Sequence, residues 1–358
     1  MGLSDIPTDL LNELSRRFER HAKSIYGASS ANSSPLYEQL CLNIAADPAV
    51  LALVTQADLS TQVSNLLLGA VHFLLLSGSA SPLAEFYPSL CPQPRPREEA
   101  YPYFRAFCLE HADAIRQLVT TQRVQTNEVR RCTALLPAFG LIAQQSGNRP
   151  LALVEIGPSA GLHLLWDKYG YDYREVRYSG NRESLVQLAC QPQGNIHPPL
   201  PPTLPTVGYR VGIDLLPIEV RDEKAIRWLR ALIWPEHADR ATLLEQAIQM
   251  ARLDPPPLIA GNAVDLLPQV LAAIPADTAL CVYHSYTLNQ CSKPTREKIR
   301  ERLLAFSQAR DFFEVSLEWY SGQKQPHLEL FSYRAGNVEV ELLAYCESHG
   351  RMIEWVQS

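Results

Sequence analysis

Two hydrophobic rhythms divide this chain. Up to about residue 145, apolar residues recur every three or four positions over 10–25, 36–45, 59–76, 103–120 and 126–145. That spacing predicts helices that each bury one face. A proline-rich connection, 88–102 with CPQPRPREE at its centre, separates the third and fourth helices; proline stops a helix and stiffens the loop. The most apolar run, 63–76, contains Asn65 and His72. It is too short to span a bilayer and is expected as a core helix.

Beyond Pro150 the rhythm changes. Short runs rich in Val, Ile and Leu at 151–156, 209–214, 258–261, 279–284 and 313–317 alternate with helix-like stretches. Such alternation predicts a parallel sheet with right-handed crossovers. The last segment differs: 328–333 and 338–345 flank Ala335-Gly336-Asn337, a hairpin signal that predicts an antiparallel end to the sheet. The expected fold class is therefore α/β, mostly parallel with an antiparallel C-terminal hairpin. A helical N-terminal region (1–147) precedes the sheet domain (148–358). Two additions interrupt that domain. One is a β excursion at about 168–208, with strands at 171–178 and 184–189 followed by HPPLPPTLP; the other is 222–252, with two helices around Trp234-Pro235.

The segment 151–165, LALVEIGPSAGLHLL, reads as a buried strand, a small-residue turn (Gly157 to Gly161) and an apolar helix start. A strand–turn–helix of this kind brings backbone N–H groups against a small ligand. Glycine is needed there because a Cβ blocks close approach. Glu155 precedes the turn; a carboxylate at the end of a buried strand is costly unless it is used, either to hold the turn or to meet a cationic ligand group. Three further loops follow predicted strands: one ends at Asp214 in VGIDLLP, one carries Gly261-Asn262-Ala263 with Asp265 next, and one carries Tyr283-His284-Ser285. Ligands of open α/β sheets bind at such carboxyl ends. A carboxylate at Asp214 can accept two hydrogen bonds from a ribose diol, or serve as a turn residue or helix cap. Asn262 can reach an adenine amino group or shape its turn.

Charge and cysteine usage narrow the field. The net charge is −6, which argues against extended nucleic-acid binding. The eight cysteines form no CxxC pair and no His-rich cluster, so no zinc signature is present, and a reduced cytoplasm is the expected setting. The first residues, MGLSDIPTDLLNEL, lack the basic start and apolar core of a signal peptide, and none is expected.

LVEIGPSAGL, VGIDLLP, GNAVDLLP and CVYHSYTLNQ, in this order, resemble the nucleotide-binding loops of class I S-adenosylmethionine-dependent methyltransferases. More narrowly, VQTNEVRRC, IGPSAGLHLLWDKY, VGIDLLPIEV and VYHSYTLNQ resemble a bacterial family, domain-of-unknown-function family 2332, over nearly the full length. The resemblance implies a Rossmann-like methyltransferase sheet with S-adenosylmethionine as cofactor. It implies Glu155, Gly157 and Gly161 on the methionine and ribose side, Asp214 on the ribose hydroxyls, and Asn262 and Ala263 beside the adenine. Ser159 stands where the usual methyltransferase turn has glycine.

For the chemistry, His284 at a strand end is the candidate general base, with Tyr283 beside it. Asn289, one helical turn after Ser285, is a candidate to orient substrate. Asn127 and Arg131 share a helix face by i,i+4 spacing. With Glu128 they are candidate substrate contacts, Arg131 as a carboxylate clamp or as an ordinary ion-pair partner of Glu128. The expected function is methyl transfer to a small molecule, with no metal, nucleic acid or membrane partner. Two rivals stand. One is a non-catalytic protein that binds a metabolite or partner. The other is a serine hydrolase, since Gly157-Pro158-Ser159-Ala160-Gly161 spells G-x-S-x-G and Asp214 or Asp265 and His284, His327 or His349 follow in order. The hydrolase needs strands before the elbow and an oxyanion loop such as HGGG, and the sequence offers neither. A dinucleotide oxidoreductase lacks its G-x-G-x-x-G.

Overall fold

A computed structural model describes residues 6–27, 33–59 and 62–357. The chain forms two compact units, Met1–Thr126 with Glu223–Thr242, and Asn127–Asp222 with Leu243–Ser358.

The first unit is helical: Thr8–His21, Pro35–Ala45, Val63–Leu76, Ala100–Glu110, Ala112–Thr121 and Glu223–Ala231 are its main helices. Local chemistry sets their starts. The Ser34 side chain accepts from Tyr37 N ahead of Pro35, and Asp47 accepts from Ala49 N and Val50 N ahead of Pro48, both N-cap arrangements with proline at the first helical position. The stretch expected as one helix at 103–120 is two, because His111 leaves helical geometry at φ −102° and ψ 24°. Positions 60 and 61 of the expected 59–76 helix lie outside the described residues. Val63–Leu76 is buried on nearly every side. Its His72 is held by Ala231 O and Ser89 Oγ at 3.1 and 2.9 Å, and burial lowers its pKa to about 4, so the ring is neutral. Phe18, Tyr26, Leu67 and Phe104 pack in one core with Trp228 and Leu232. No helix among the described residues is long and apolar enough to cross a membrane.

The second unit holds the sheet. Its strands are β1 (Leu151–Ile156), β2 (Gly170–Asp172), β3 (Tyr178–Gly180), β4 (Gln187–Ala189), β5 (Gln191–Gln193), β6 (Val207–Asp214), β7 (Leu258–Ala260), β8 (Ala279–Ser285), β9 (Phe312–Glu318), β10 (His327–Arg334), β11 (Asn337–Cys346) and β12 (Met352–Trp355). The main sheet has nine strands in the order β5-β12-β11-β10-β9-β8-β1-β6-β7. The core β7-β6-β1-β8-β9 is parallel throughout, and β10, β11 and β12 extend it antiparallel. Numbered within that core alone, the order is 3-2-1-4-5, that of a doubly wound nucleotide-binding sheet. The reversal of strand order falls between β1 and β8.

Helix α1 (Cys132–Gln145) packs on one face, and α2 (Ala263–Ala272) and α3 (Lys293–Phe306) belong to the other. All six residues of β1 are buried. Ala152, Val154 and Ile156 pack with Val211, Ile213, Val282, Leu267 and Leu303, each fully buried aliphatic side chain contributing about 1.5–3 kcal/mol. The expected line at 147/148 moves in two places. α1, read with the N-terminal helices, belongs to the sheet unit, while Glu223–Ala231, read with the sheet, belongs to the helical one.

The hairpin forms as expected: Ala335 and Gly336 have φ of 47° and 81°, positive at both central positions as a two-residue turn between twisted strands requires. The excursion differs in detail. The strand expected at 171–178 is the pair β2 and β3, and only β4 of 184–189 is extended, giving a separate sheet β3-β2-β4. β5 and β12, unforeseen in the sequence, close the edge of the main sheet.

Candidate functional site at the carboxyl edge of the sheet

The turn after β1 is a run of left-handed residues: φ is 73° at Gly157, 56° at Ser159 and 73° at Gly161. Gly157 is required twice over. Its φ disfavours any side chain, and a Cβ there would collide with the Thr287 side chain beyond β8. A Cβ on Gly161 would meet Pro256 and Leu258. The non-glycine Ser159 in this region is a strained position, of the kind that clusters at functional sites.

Hydrogen bonds tie the turn to its neighbours. Gly157 N donates to Ile213 O at 2.9 Å and Gly161 N to Pro158 O at 2.8 Å. Ser159 N donates to Asp214 Oδ2 at 2.8 Å, and Leu216 N to Asp214 Oδ1 at 2.9 Å. Leu162 N donates to Asn127 Oδ1 at 3.3 Å. Asp214, buried at the end of β6, thus joins two loops. The expected α-helix after the turn is a 3-10 helix, Leu162–Lys168. A short 3-10 segment after a turn whose N–H groups donate inward is a poor cradle for a pyrophosphate.

Glu155 turns away from the helix face of α2 and α3. Its Oε1 lies 3.0 Å from His163 Nδ1, and its Oε2 accepts from Tyr283 OH at 3.0 Å. His163 Nε2 lies 2.9 Å from Glu128 O. Both ring nitrogens are thus engaged, one by the Glu155 carboxylate and one by a backbone carbonyl. Glu155 therefore fixes the turn from behind. The Tyr283 phenol is pushed up by burial and by Glu155, so it is a donor and not a base.

His284 lies on the opposite face. Its Nδ1 is 2.7 Å from Glu318 Oε1 and its Nε2 3.0 Å from Glu314 Oε1. Burial alone would lower its pKa, but these two carboxylates raise it to about 9. The ring expected as a general base has both nitrogens engaged and carries a proton at neutral pH. The two glutamates sit at alternate-but-one positions of β9, and they were missed. Acidic residues four apart within the apolar strand FFEVSLE were the available signal.

The 127–131 segment does meet the turn. Besides Asn127 on Leu162 N, Glu128 presents its carbonyl to His163 and its carboxylate to Arg130 N at 3.4 Å. The Arg131 guanidinium stacks 3.8 Å from the centre of the Tyr286 ring, and its Nε donates to Ser348 O at 3.0 Å. Asn262 caps α2, accepting from Val264 N at 3.0 Å, and Ala263 opens that helix. Asn289 donates from Nδ2 to Trp319 O at 3.3 Å.

Buried polar atoms at this edge with no hydrogen-bond partner among the described residues include Ser159 Oγ, Ser285 Oγ and Asn289 Oδ1. Buried polar groups are nearly always paired, so each of these atoms is open to a ligand or an ordered water. The lack of a partner on Ser159 Oγ also means that no histidine stands in hydrogen-bond reach of the G-x-S-x-G serine, the relation that a hydrolase nucleophile needs. No group of three or more His, Cys, Asp or Glu among the described residues is arranged to hold a metal ion. A cleft of about 340 Å3 lies elsewhere, at the amino-terminal half of β6 between Tyr209, Arg210 and Pro255, Pro256 and Pro257.

Fold and site together define an α/β protein with a doubly wound parallel core and a left-handed turn at its reversal point. The chain belongs to the family described as "Uncharacterized protein conserved in bacteria (DUF2332)", whose model matches residues 16–355. No curated protein and no solved structure matches it.

Proposed function

We propose that the sheet unit is a methyltransferase that uses S-adenosylmethionine to methylate a small molecule. The observation that carries this reading is the junction of Asp214 with the turn: a carboxylate from the neighbouring strand holds Ser159 N at 2.8 Å, beside two required glycines. Each Asp214 oxygen accepts one backbone N–H, and a carboxylate oxygen has two lone pairs, so the carboxylate can also take the hydroxyls of a sugar diol. The inward-donating N–H groups favour a cofactor without phosphates over a dinucleotide. The residues fit the group, for Ser159 Oγ is buried and unpartnered within the turn. Gly157, Ser159 and Gly161 would line its amino-acid and ribose side, Asp214 its hydroxyls, and Asn262 and Ala263 its base. When bound, the cofactor supplies an electrophilic methyl group.

The chain's own contribution is placement, the largest lever in a simple displacement. Asn289, its amide fixed through Nδ2, keeps Oδ1 for an O–H or N–H of the acceptor. Glu155 and His163 hold the turn, and Arg131 is the cation nearest the Tyr286 ring. The eight free cysteines support a cytoplasmic setting.

A second reading has its own observation. Thr287 occupies the space beside Gly157, which favours a protein that keeps the sheet and binds a metabolite or partner without chemistry. Thermal-shift titration separates the readings. Stabilisation by S-adenosylhomocysteine and none by NAD supports the methyltransferase; stabilisation by neither supports the second.

A further inference from the structure

Glu318, 2.7 Å from His284 Nδ1, also accepts three main-chain N–H groups: Thr287 at 3.0 Å and Leu288 at 2.9 Å on Oε1, and Asn289 at 3.1 Å on Oε2. Those residues open the 3-10 turn Leu288–Gln290. Thr287, the first of them, is the residue packed on Gly157, with its Oγ1 3.5 Å from Gly157 O. Tyr286, just before, is held at φ 55°, a conformation that persists only where the surroundings over-determine it. The chain of contact is continuous: imidazole, carboxylate, three amides, and the turn at the reversal point of the sheet.

We propose that His284 is a positioning residue: through Glu318 it fixes the Thr287–Asn289 segment against the Gly157–Gly161 turn, so that the proton on a buried imidazole sets the shape of the ligand crevice.

The surroundings favour a held proton. From β9 come Glu314 and Glu318; from β10, Tyr333, whose OH donates to Glu314 Oε2 at 2.7 Å, and Glu329, which feels both Glu314 and His284. Cys281 on β8 lies within the field of Glu314, and Cys291 within that of Glu318. From α3, Arg300 acts on Glu329 and Tyr333, and Arg296 on Cys291 and Tyr320. Loss of one proton leaves a neutral ring with a single N–H, which serves only one of the two carboxylates; when Glu314 keeps it, Glu318 faces the bare Nδ1 at 2.7 Å and shifts, carrying the three amides with it. The segment is fixed below the folded pKa of His284 and loosens as the pH rises through about 9.

The consequence for a ligand rests on the proposed cofactor reading, whereas the latch does not. The test is an NMR titration of the whole protein, following the His284 ring and the amides of Thr287, Leu288 and Asn289. The three amides are expected to titrate together with the ring near pH 9. In Glu318→Gln the ring still titrates through Glu314 and the amides no longer follow. Amides that stay still while the ring of the wild type titrates overturn the proposal, and this holds even if Glu318→Gln does not fold. S-adenosylhomocysteine affinity read in parallel should fall about tenfold on passing through that pH and stay flat in His284→Gln. Titrating amides without any binding would leave the latch standing and sink the cofactor reading alone.

Discussion

Asp214 and Ser159 lie on neighbouring loops, and the carboxylate of one accepts the backbone N–H of the other at 2.8 Å. The bond crosses from β6 to the turn after β1, strands that run parallel with Ile156 opposite Ile213. It converts two loops into one surface at the carboxyl edge, where open α/β sheets hold ligands.

The turn should be intolerant of a single methyl group. Gly157→Ala adds a Cβ at φ 73° and drives it into Thr287. A loss of about 1–3 kcal/mol is expected, read from the urea midpoint at unchanged slope. The loss should shrink in a Thr287→Gly background. Strictly additive losses would show that Thr287 is not what the Cβ meets.

Glu155 should matter by its two hydrogen bonds. Glu155→Leu leaves His163 and Tyr283 without their buried acceptor and should cost about 2–6 kcal/mol, about 1–3 for each group left unpaired. Glu155→Gln keeps an acceptor for one of them and should cost about 1–3 kcal/mol. Equal costs for the two variants would contradict a role for both hydrogen bonds.

Stability should depend on alkaline pH through His284. Its folded-state pKa, about 9, lies above the ordinary 6.5. Its contribution is therefore complete below pH 6.5 and is lost as the pH rises through about 9. Urea unfolding of the wild type across that interval should show stability falling more steeply than in His284→Gln. Parallel pH curves for the two proteins would refute the assignment of the shift to this ring.

The hairpin offers a gain. Ala335 sits at φ 47°, a left-handed position that costs an alanine about 1–2 kcal/mol. Glycine loses about 0.5–1 kcal/mol of chain entropy in exchange. Ala335→Gly should stabilise the protein by about 0.5–1 kcal/mol, visible as a raised Tm. A lowered Tm would mean that the Ala335 methyl contributes packing.

Strands and turns were legible in the sequence where local chemistry decides them. β1 runs over the six residues that its apolar pattern marks, and Ala335-Gly336-Asn337 announces the hairpin. The loops at Gly157, Asp214 and Asn262 were legible for the same reason. Partners distant in the chain were not. Glu314 and Glu318 lie 30 and 34 residues from His284, so the ring read as an open base. His163 lies inside the stretch marked only as an apolar helix start, although Glu155, eight residues earlier, is its partner. The break at His111 and the assignment of Cys132–Gln145 to the sheet unit depend on tertiary packing that periodicity does not carry.

The most direct measurement is calorimetric titration of S-adenosylhomocysteine into the wild type and into Asp214→Asn, each shown to be folded by circular dichroism. Saturable heat in the wild type, with affinity at least about tenfold weaker in the variant, is the predicted result. A folded wild type that takes up no ligand, or a variant that binds as tightly as the wild type, would contradict the account.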